Sequence, residues 1–192
     1  MKFYLAAACL LATSCLAEDA AICTNTPKTQ LEALACLPGI VLIKGLGDAG
    51  SVPLERATIT VFCLRYLAPD VHQGAAGLDV KVKLTNCFFH AFVDYDEIDH
   101  LLIAVQQLAH ADKKIAALPS FEAVYKTRDE LRLATYNIVD GPTESLAASI
   151  SRPGFPNVTM TMTQLGQFSA LIEQAKATLD GRSINADASR PK

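Results

Sequence analysis

Hydrophobic and polar residues alternate along several stretches of the chain, which is the pattern of half-buried β-strands. Over 78–84, apolar residues at every second position are separated by Asp79, Lys81 and Lys83, so one face contacts a core and the other contacts solvent. Similar patterns predict strands over 40–43, 58–67, 78–84, 88–95, 121–126, 131–139, 146–151 and 158–162. The glycine-rich segment 45–53 is predicted to be a loop.

Three stretches have helical periodicity instead. Thr26 and Pro27 predict the start of a short helix that ends at Pro38-Gly39. A second helix over 96–113 directly follows the strand 88–95. A third helix over 163–179 directly follows the last strand and is closed by Gly181. The order of elements predicts an α+β fold, in which two helices pack on an antiparallel sheet.

The two strand-to-helix junctions align when one is shifted by 67 residues. The shift places apolar positions of the same strand face and helix stripe over each other: Ala91, Val93, Tyr95, Ile98, Leu101 and Val105 over Val158, Met160, Met162, Leu165, Phe168 and Ile172. A duplicated unit of several strands and one helix explains this, although any amphipathic junction would align comparably. The element order is also similar to the whirly and PUR-type nucleic-acid-binding folds, an analogy that does not fix function.

The first seventeen residues combine one cation, Lys2, with an apolar run over 3–12 and the small residue Ala17. This is typical of an export signal cleaved after Ala17, and the run is too short to span a bilayer as a helix. The alternative is a bacterial lipoprotein, in which Cys15 carries lipid and anchors the chain to a membrane. We expect a signal peptide over 1–17, a helix, short strand and loop over 18–57, an α+β domain over 58–181 and a flexible tail over 182–192.

Charge and glycine spacing narrow the classes of partner. Loss of Lys2 with the signal changes the formal charge from −3 to −4, and the remaining Lys and Arg are scattered, which argues against a nucleic-acid-binding surface. Gly45, Gly47 and Gly50 have the spacing of a dinucleotide fingerprint, but Pro53 and a strand pattern follow where a helix is required. We expect no cofactor, no nucleic-acid partner, and membrane contact only through a lipid anchor.

Of the six cysteines, four lie beyond the signal: Cys23, Cys36, Cys63 and Cys87. An even number in an exported chain predicts disulfides, and four cysteines allow three connectivities. We expect Cys23–Cys36 and Cys63–Cys87, because each pair closes a short loop. Zinc is the alternative, but the sequence has no Cys-x-x-Cys pair and the spacings are wide.

The densest polar cluster contains Asp94, Asp96, Asp99 and His100. Asp96 and His100 are four residues apart and share a helical face, where a divalent metal ion could bind. The simpler interpretation is structural, because acids in a first helical turn complement the helix dipole and Asp96 can cap free amides. We expect capping, with a metal site as the alternative, and no catalytic residue.

Three segments of the chain, 92–99, 121–127 and 171–180, resemble a group of exported bacterial proteins for which no activity is established. They read FVDYDEID, FEAVYKT and LIEQAKATLD. The resemblance implies an exported bacterial protein. We expect it in the periplasm or the cell exterior, or, if Cys15 carries lipid, anchored to a membrane. It supplies no catalytic residue.

We therefore expect an exported, non-catalytic binding or structural module with an unknown protein or small-molecule partner. A partner strand could add to an exposed sheet edge. One alternative is an envelope-anchored lipoprotein that acts as an assembly partner. The other is a metal-dependent enzyme centred on Asp96 and His100.

Overall fold

The computed structural model describes residues 26–111, 114, 120–140 and 143–187 and confirms the α+β class. The elements in chain order are α1 Gln30–Ala35, β1 Ile43–Pro53, β2 Ala57–Ala68, β3 Gln73–Leu84, β4 Phe88–Asp94, α2 Ile98–Ala109, β5 Glu122–Lys126, β6 Arg132–Asp140, β7 Thr143–Ser151, β8 Val158–Met160 and α3 Met162–Asp187. Single 3-10 turns occupy Pro69–Val71 and Tyr95–Glu97. The export signal with Cys15, and Cys23, lie outside the described residues.

The strands form two four-stranded antiparallel sheets, where the sequence predicted one. The first sheet has the order β1-β2-β3-β4 and the second the order β5-β6-β7-β8, so each is a simple meander. A helix follows each sheet, α2 after β4 and α3 after β8. The described strands and the helices that follow them thus form two units of four strands and one helix. Of the apolar residues aligned by the 67-residue shift, all are buried except Tyr95, which is exposed, and Met162, which is partly buried.

Each helix packs mainly on the sheet of the other unit. The helix α3 lies on β1 and β2, α2 lies on β5 and β6, and the two helices contact each other. The inner faces of both sheets and the apolar stripes of both helices therefore form one core, which includes Val61, Val80, Leu133, Ile150 and Phe168. Burial of this shared apolar surface holds the two units together.

The glycine-rich segment predicted as a loop is instead the edge strand β1, which pairs with β2 throughout. A bulge interrupts the register between Asp48 and Gly50, and Gly50 adopts a φ of +124°. A Cβ at Gly50 would lie 2.8 Å from the Cδ2 atom of Leu171 on α3. Glycine is therefore required by the bulge and by the close approach of α3, and does not indicate a flexible loop.

Two helix boundaries also differ from the prediction. The N-cap residue of α1 is Thr29, which forms a capping box with Glu32. The helix therefore begins at Gln30, three residues after Pro27, which was predicted as its first residue. The helix α3 continues to Asp187, and Gly181 lies inside it. A helical glycine costs about 1 kcal/mol relative to alanine and does not by itself end a helix.

The predicted disulfide between Cys63 and Cys87 is not formed. The thiol of Cys63 donates to the carbonyl oxygen of Ala175 at 3.5 Å, in the core. Cys87 is exposed beyond the end of β3, whose last residue, Leu84, pairs with Ala57. Ala57 and Cys63 are separated by about 20 Å of extended strand. A disulfide requires Cα atoms within about 7 Å. Loop length suggested the pair, and the register of the hairpin excludes it.

The other predicted disulfide, Cys23–Cys36, stays a prediction. Cys36 is the C-cap residue of α1 and is partly buried. Its predicted partner lies outside the described residues.

Candidate functional site

The buried carboxylate of Asp94 caps α1 from a distant part of the chain. Asp94, the last residue of β4, is only 2% exposed. Its two oxygens accept hydrogen bonds from the backbone N–H groups of Gln30 at 2.8 Å and Leu31 at 3.2 Å. These are free N–H groups of the first helical turn, which an acid stabilises. Asp94 thus fixes α1 to the outer face of the first sheet, where Leu31 is fully buried.

Asp96 does not cap α2 as predicted. The N-cap residue of α2 is Glu97, and no side-chain capping bond is formed there. The carboxylate of Asp96 instead accepts from the guanidinium of Arg128 at 2.7 Å. This hydrogen bond is the main reason that the pKa of Arg128 is raised. Arg128 also lies 3.3 Å from an oxygen of Asp94, so one guanidinium bridges two of the predicted candidate acids.

Glu97 is a buried acid that sequence reasoning missed. Its Oε1 atom accepts from the backbone N–H of Arg128 at 2.9 Å, while its Oε2 atom lies 3.7 Å from the guanidinium Nε of the same residue. Burial raises the pKa of Glu97, and the hydrogen bond and charge of Arg128 oppose that rise. Glu97 thereby holds the β5–β6 turn of the second unit against the start of α2.

The remaining candidates, Asp99 and His100, lie in environments that differ from those of Asp94 and Asp96. Asp99 forms an ion pair with Lys176 of α3, and this hydrogen bond is the main reason that the pKa of Lys176 is raised. His100 is exposed on α2. The structure therefore joins Asp94 and Asp96 through Arg128, directs Asp99 towards α3, and does not gather the four residues in one site. In the part of the chain that the structure describes, no group of three or more His, Cys, Asp and Glu side chains could hold a metal ion.

A second ion pair with a buried carboxylate joins Asp129 to the partly exposed Arg152, at the outer edge of β4. Asp129 is completely buried and accepts from the backbone N–H of Phe92 at 2.9 Å. Arg152 donates to the carbonyl oxygen of His90, on the same strand. The pair thus occupies backbone groups of β4 that an additional strand would use. Burial raises the pKa of Asp129 to about 6, against the lowering influence of the Phe92 hydrogen bond and of Arg152.

Sequence reasoning placed Arg128 and Asp129 only in a turn. Asp129 bonds to Phe92 across 37 residues, and Arg152 bonds to His90 across 62 residues. A charged pair in a turn has no local pattern that reveals such distant partners. The one available signal was the position of two charged residues at the tight turn between two strands of the second unit.

The surface of the described residues includes the following two open cavities. One, of about 490 Å³, lies between α1 and the start of β3, with Leu34, Leu37 and Gly74 among its lining residues. The other, of about 430 Å³, lies between the β5–β6 and β7–β8 turns, with Lys126 and Arg132 among its lining residues. Both fall in the size range of small-molecule sites.

The buried charges are used mainly to join elements: Asp94 holds α1, Glu97 holds the β5–β6 turn, and Asp129 with Arg152 closes the edge of β4. Such an arrangement can orient binding surfaces. None of the helices within the described ranges combines the length and the apolar character needed to cross a membrane. Comparison with protein-family models, with curated protein sequences and with solved structures found no match to the chain.

Proposed function

We propose that the chain is an exported, non-catalytic binding module that receives an extended segment of a partner protein along β1. The observation that carries the proposal is the difference between the two edges of the first sheet. The edge of β4 is occupied by Asp129 and Arg152. The other edge, β1, is an eleven-residue strand that pairs only with β2 among the described strands.

The side chains of β1 give this edge an apolar character. Ile43 and Leu46 are 52% and 64% exposed, and Val41, two residues before the start of β1, is 62% exposed. Ile43 and Leu46 point to opposite faces of the sheet, so each face of this edge carries one large exposed apolar side chain of β1. The open backbone row of an edge strand supplies affinity for an extended peptide, and neighbouring side chains supply selectivity.

Charge along β1 indicates the chemistry of the partner. Lys44, Leu46 and Asp48 lie on the outer face of the sheet, opposite Tyr66, Leu64 and Phe62 of β2. A fitting partner is an extended segment with an apolar residue near Leu46, flanked by an acid near Lys44 and a base near Asp48. The bulge after Asp48 limits the length of regular pairing to the first half of β1.

A displayed library of random peptides tests this proposal. We expect the purified protein to enrich peptides that carry an apolar residue with an acid two positions to one side and a base two positions to the other. Bound peptide should slow amide hydrogen exchange in β1 but not in β5. The substitution Leu46→Lys should weaken the enriched peptides about tenfold or more, since every 1.4 kcal/mol of binding free energy is tenfold in Kd.

The matched control is Ile103→Lys, which places the same change at a side chain 53% exposed on α2. Peptides that bind both variants equally, or protection that appears only outside β1, would overturn the proposal. Export stays a prediction from residues 1–17, and the intact mass of the exported protein tests it.

A further inference from the structure

We propose that the cleft between the β5–β6 and β7–β8 turns binds a small organic anion, in which a carboxylate or phosphate is attached to an apolar group. The cleft has a volume of about 430 Å³. It belongs to the second unit and does not depend on the partner site proposed for β1.

Two cations lie side by side at this cleft. Lys126 on β5 and Arg132 on β6 are direct cross-strand partners, and Arg132 is next to Ser151 on β7. Like charges directly opposite each other destabilise a sheet. Here they create a row of two cations and a hydroxyl on one face of three adjacent strands, and all three residues line the cleft.

Arg152 adds a third cation that is already held in place. Its guanidinium donates to the carbonyl oxygen of His90 and to the buried carboxylate of Asp129. A guanidinium has five N–H donors, so further donors are present beyond these two bonds. Because Arg152 is fixed by buried partners, a bound anion would not have to order a flexible side chain.

The acids around the cleft are partners that an anion can replace. Lys126 pairs with Glu130 at 3.1 Å, and Arg132 pairs with Glu122 at 2.6 Å. The exposed fractions of these four side chains lie between 32% and 52%. Exposed ion pairs contribute little to stability, so exchanging one carboxylate for another anion costs little. Lys28, which lies 2.8 Å from Glu130, adds a fourth cation nearby.

An apolar wall faces these cations. Pro153 and Phe155 line the cleft, and the ring of Phe155 is 38% exposed. Its ring centre lies 5.2 Å from that of Phe89, a buried residue of β4, so the aromatic side chain is supported from behind. A ligand that combines an anionic group with an apolar group would contact both sides of the cleft, which excludes a bare inorganic ion as the best ligand.

Isothermal titration calorimetry with four probes tests the site: phenyl phosphate, benzoate, inorganic phosphate and phenol. We expect saturable binding of phenyl phosphate or benzoate, and the stronger of the two identifies the anionic group. Inorganic phosphate should bind about tenfold more weakly than phenyl phosphate. Phenol should not bind.

The double variant Lys126→Met, Arg132→Met should weaken the aromatic anion about tenfold or more. The matched control is Lys83→Met, at an exposed position on the first sheet, which should leave the affinity unchanged. Should the double variant fail to fold, Lys126→Met alone takes its place, with an expected weakening of about threefold.

The variant Phe155→Ala separates the two halves of the site. It should weaken phenyl phosphate and leave inorganic phosphate unchanged. No saturable heat with any probe, equal weakening by Lys83→Met, or a phenyl phosphate affinity unaffected by Phe155→Ala would overturn the proposal. Peptide binding at β1 is measured separately, so either proposal can fail alone.

Discussion

The two units of the chain are alike on their inner faces and different on their outer faces. Val80 and Ala91 are paired across β3 and β4, and Ile150 and Val158 are paired in the same way across β7 and β8. All four face the common core. The shared pattern therefore preserves the packing between sheets and helices, where volume and polarity are most constrained.

The outer faces have diverged. The first sheet is partly covered by α1, whose Leu31 and Leu34 pack against Leu64, Tyr66, Ala68 and Phe92. Its counterpart, the second sheet, has small buried residues, Ala134 and Ser149, on its outer face. No helix among the described elements packs on that face. The pattern that the two units share therefore specifies the core, and the surfaces that could bind a partner lie outside that shared pattern.

Substitutions at equivalent helix positions test whether the two units form one cooperative body. Phe168 on α3 and Leu101 on α2 are aligned by the 67-residue shift, and both are fully buried. We expect Phe168→Ala to lower the free energy of unfolding by about 3–5 kcal/mol and Leu101→Ala by about 2–5 kcal/mol. Chemical denaturation should show a single transition in both variants.

The exposed side chain of Ile103, also on α2, provides the control. Ile103→Ala should change the free energy of unfolding by about 0.5 kcal/mol or less. Two separate transitions in either core variant would show that the units unfold independently. That result would contradict a shared core in which each helix packs on the sheet of the other unit.

The first hairpin turns of the two units, β1–β2 and β5–β6, differ in the burial of their acidic residues. This difference should appear in the pH dependence of stability. The β1–β2 turn carries exposed Glu55 and Arg56, whereas the β5–β6 turn carries the buried Asp129. Burial raises the pKa of Asp129 from 3.8 to about 6. Between these values the folded protein keeps a proton that the unfolded chain has released, so this group's contribution to stability is lost as the pH rises through 6.

The size of this effect is at most about 3 kcal/mol, because one pKa unit corresponds to 1.36 kcal/mol. The side chain introduced by Asp129→Asn does not ionise. As the pH is raised from 4 to 7, the natural protein should therefore lose stability relative to the variant, so the difference in free energy of unfolding changes in favour of the variant. Urea denaturation at several pH values measures this. Glu55→Gln should run parallel to the natural protein, and a pH-independent difference for Asp129→Asn would contradict the assigned pKa.

The smallest expected effects distinguish Asp94 from Asp96, two of the three acids that contact Arg128. Asp94→Ala removes the acceptor of two N–H groups of α1 and should cost about 2 kcal/mol. It should also speed hydrogen exchange in α1. Asp96→Ala removes only an exposed ion pair and should cost less than about 1 kcal/mol. If both variants cost the same, Asp94 would not be the residue that attaches α1 to the first sheet.

Part of this architecture follows from local sequence patterns. The alternation over 78–84 identified β3, and the strand-to-helix junctions identified β4, β8 and the starts of two helices, because periods of 2 and 3.6 are local properties. The edge strand β1 was missed because its glycines are typical of a loop, whereas Gly50 serves a bulge and the approach of α3. The exchange of helices was also hidden, since either sheet offers a similar apolar face to either helix.

The sequence pointed to a dense group of polar residues at the start of α2, but it did not reveal which residues they contact in the fold. Asp94, Asp96, Asp99 and His100 were singled out because they are close in sequence, but the partners of the three acids come from α1, α3 and the second unit. Arg128 and Arg152 acquire their roles only when the two units meet. Ion pairs between segments distant in the chain have no short-range pattern that sequence reasoning could detect.

The exchanged helices also determine when the chain can fold as it is synthesised. The bond between the Cys63 thiol and the Ala175 carbonyl joins residues 112 positions apart, so the inner face of the first sheet stays uncovered until α3 has been made. A nascent chain that stops before α3 would present this apolar face to chaperones and to other unfolded chains. Such distant contacts make folding slow. The core of the described chain can therefore be completed only after α3 has been synthesised.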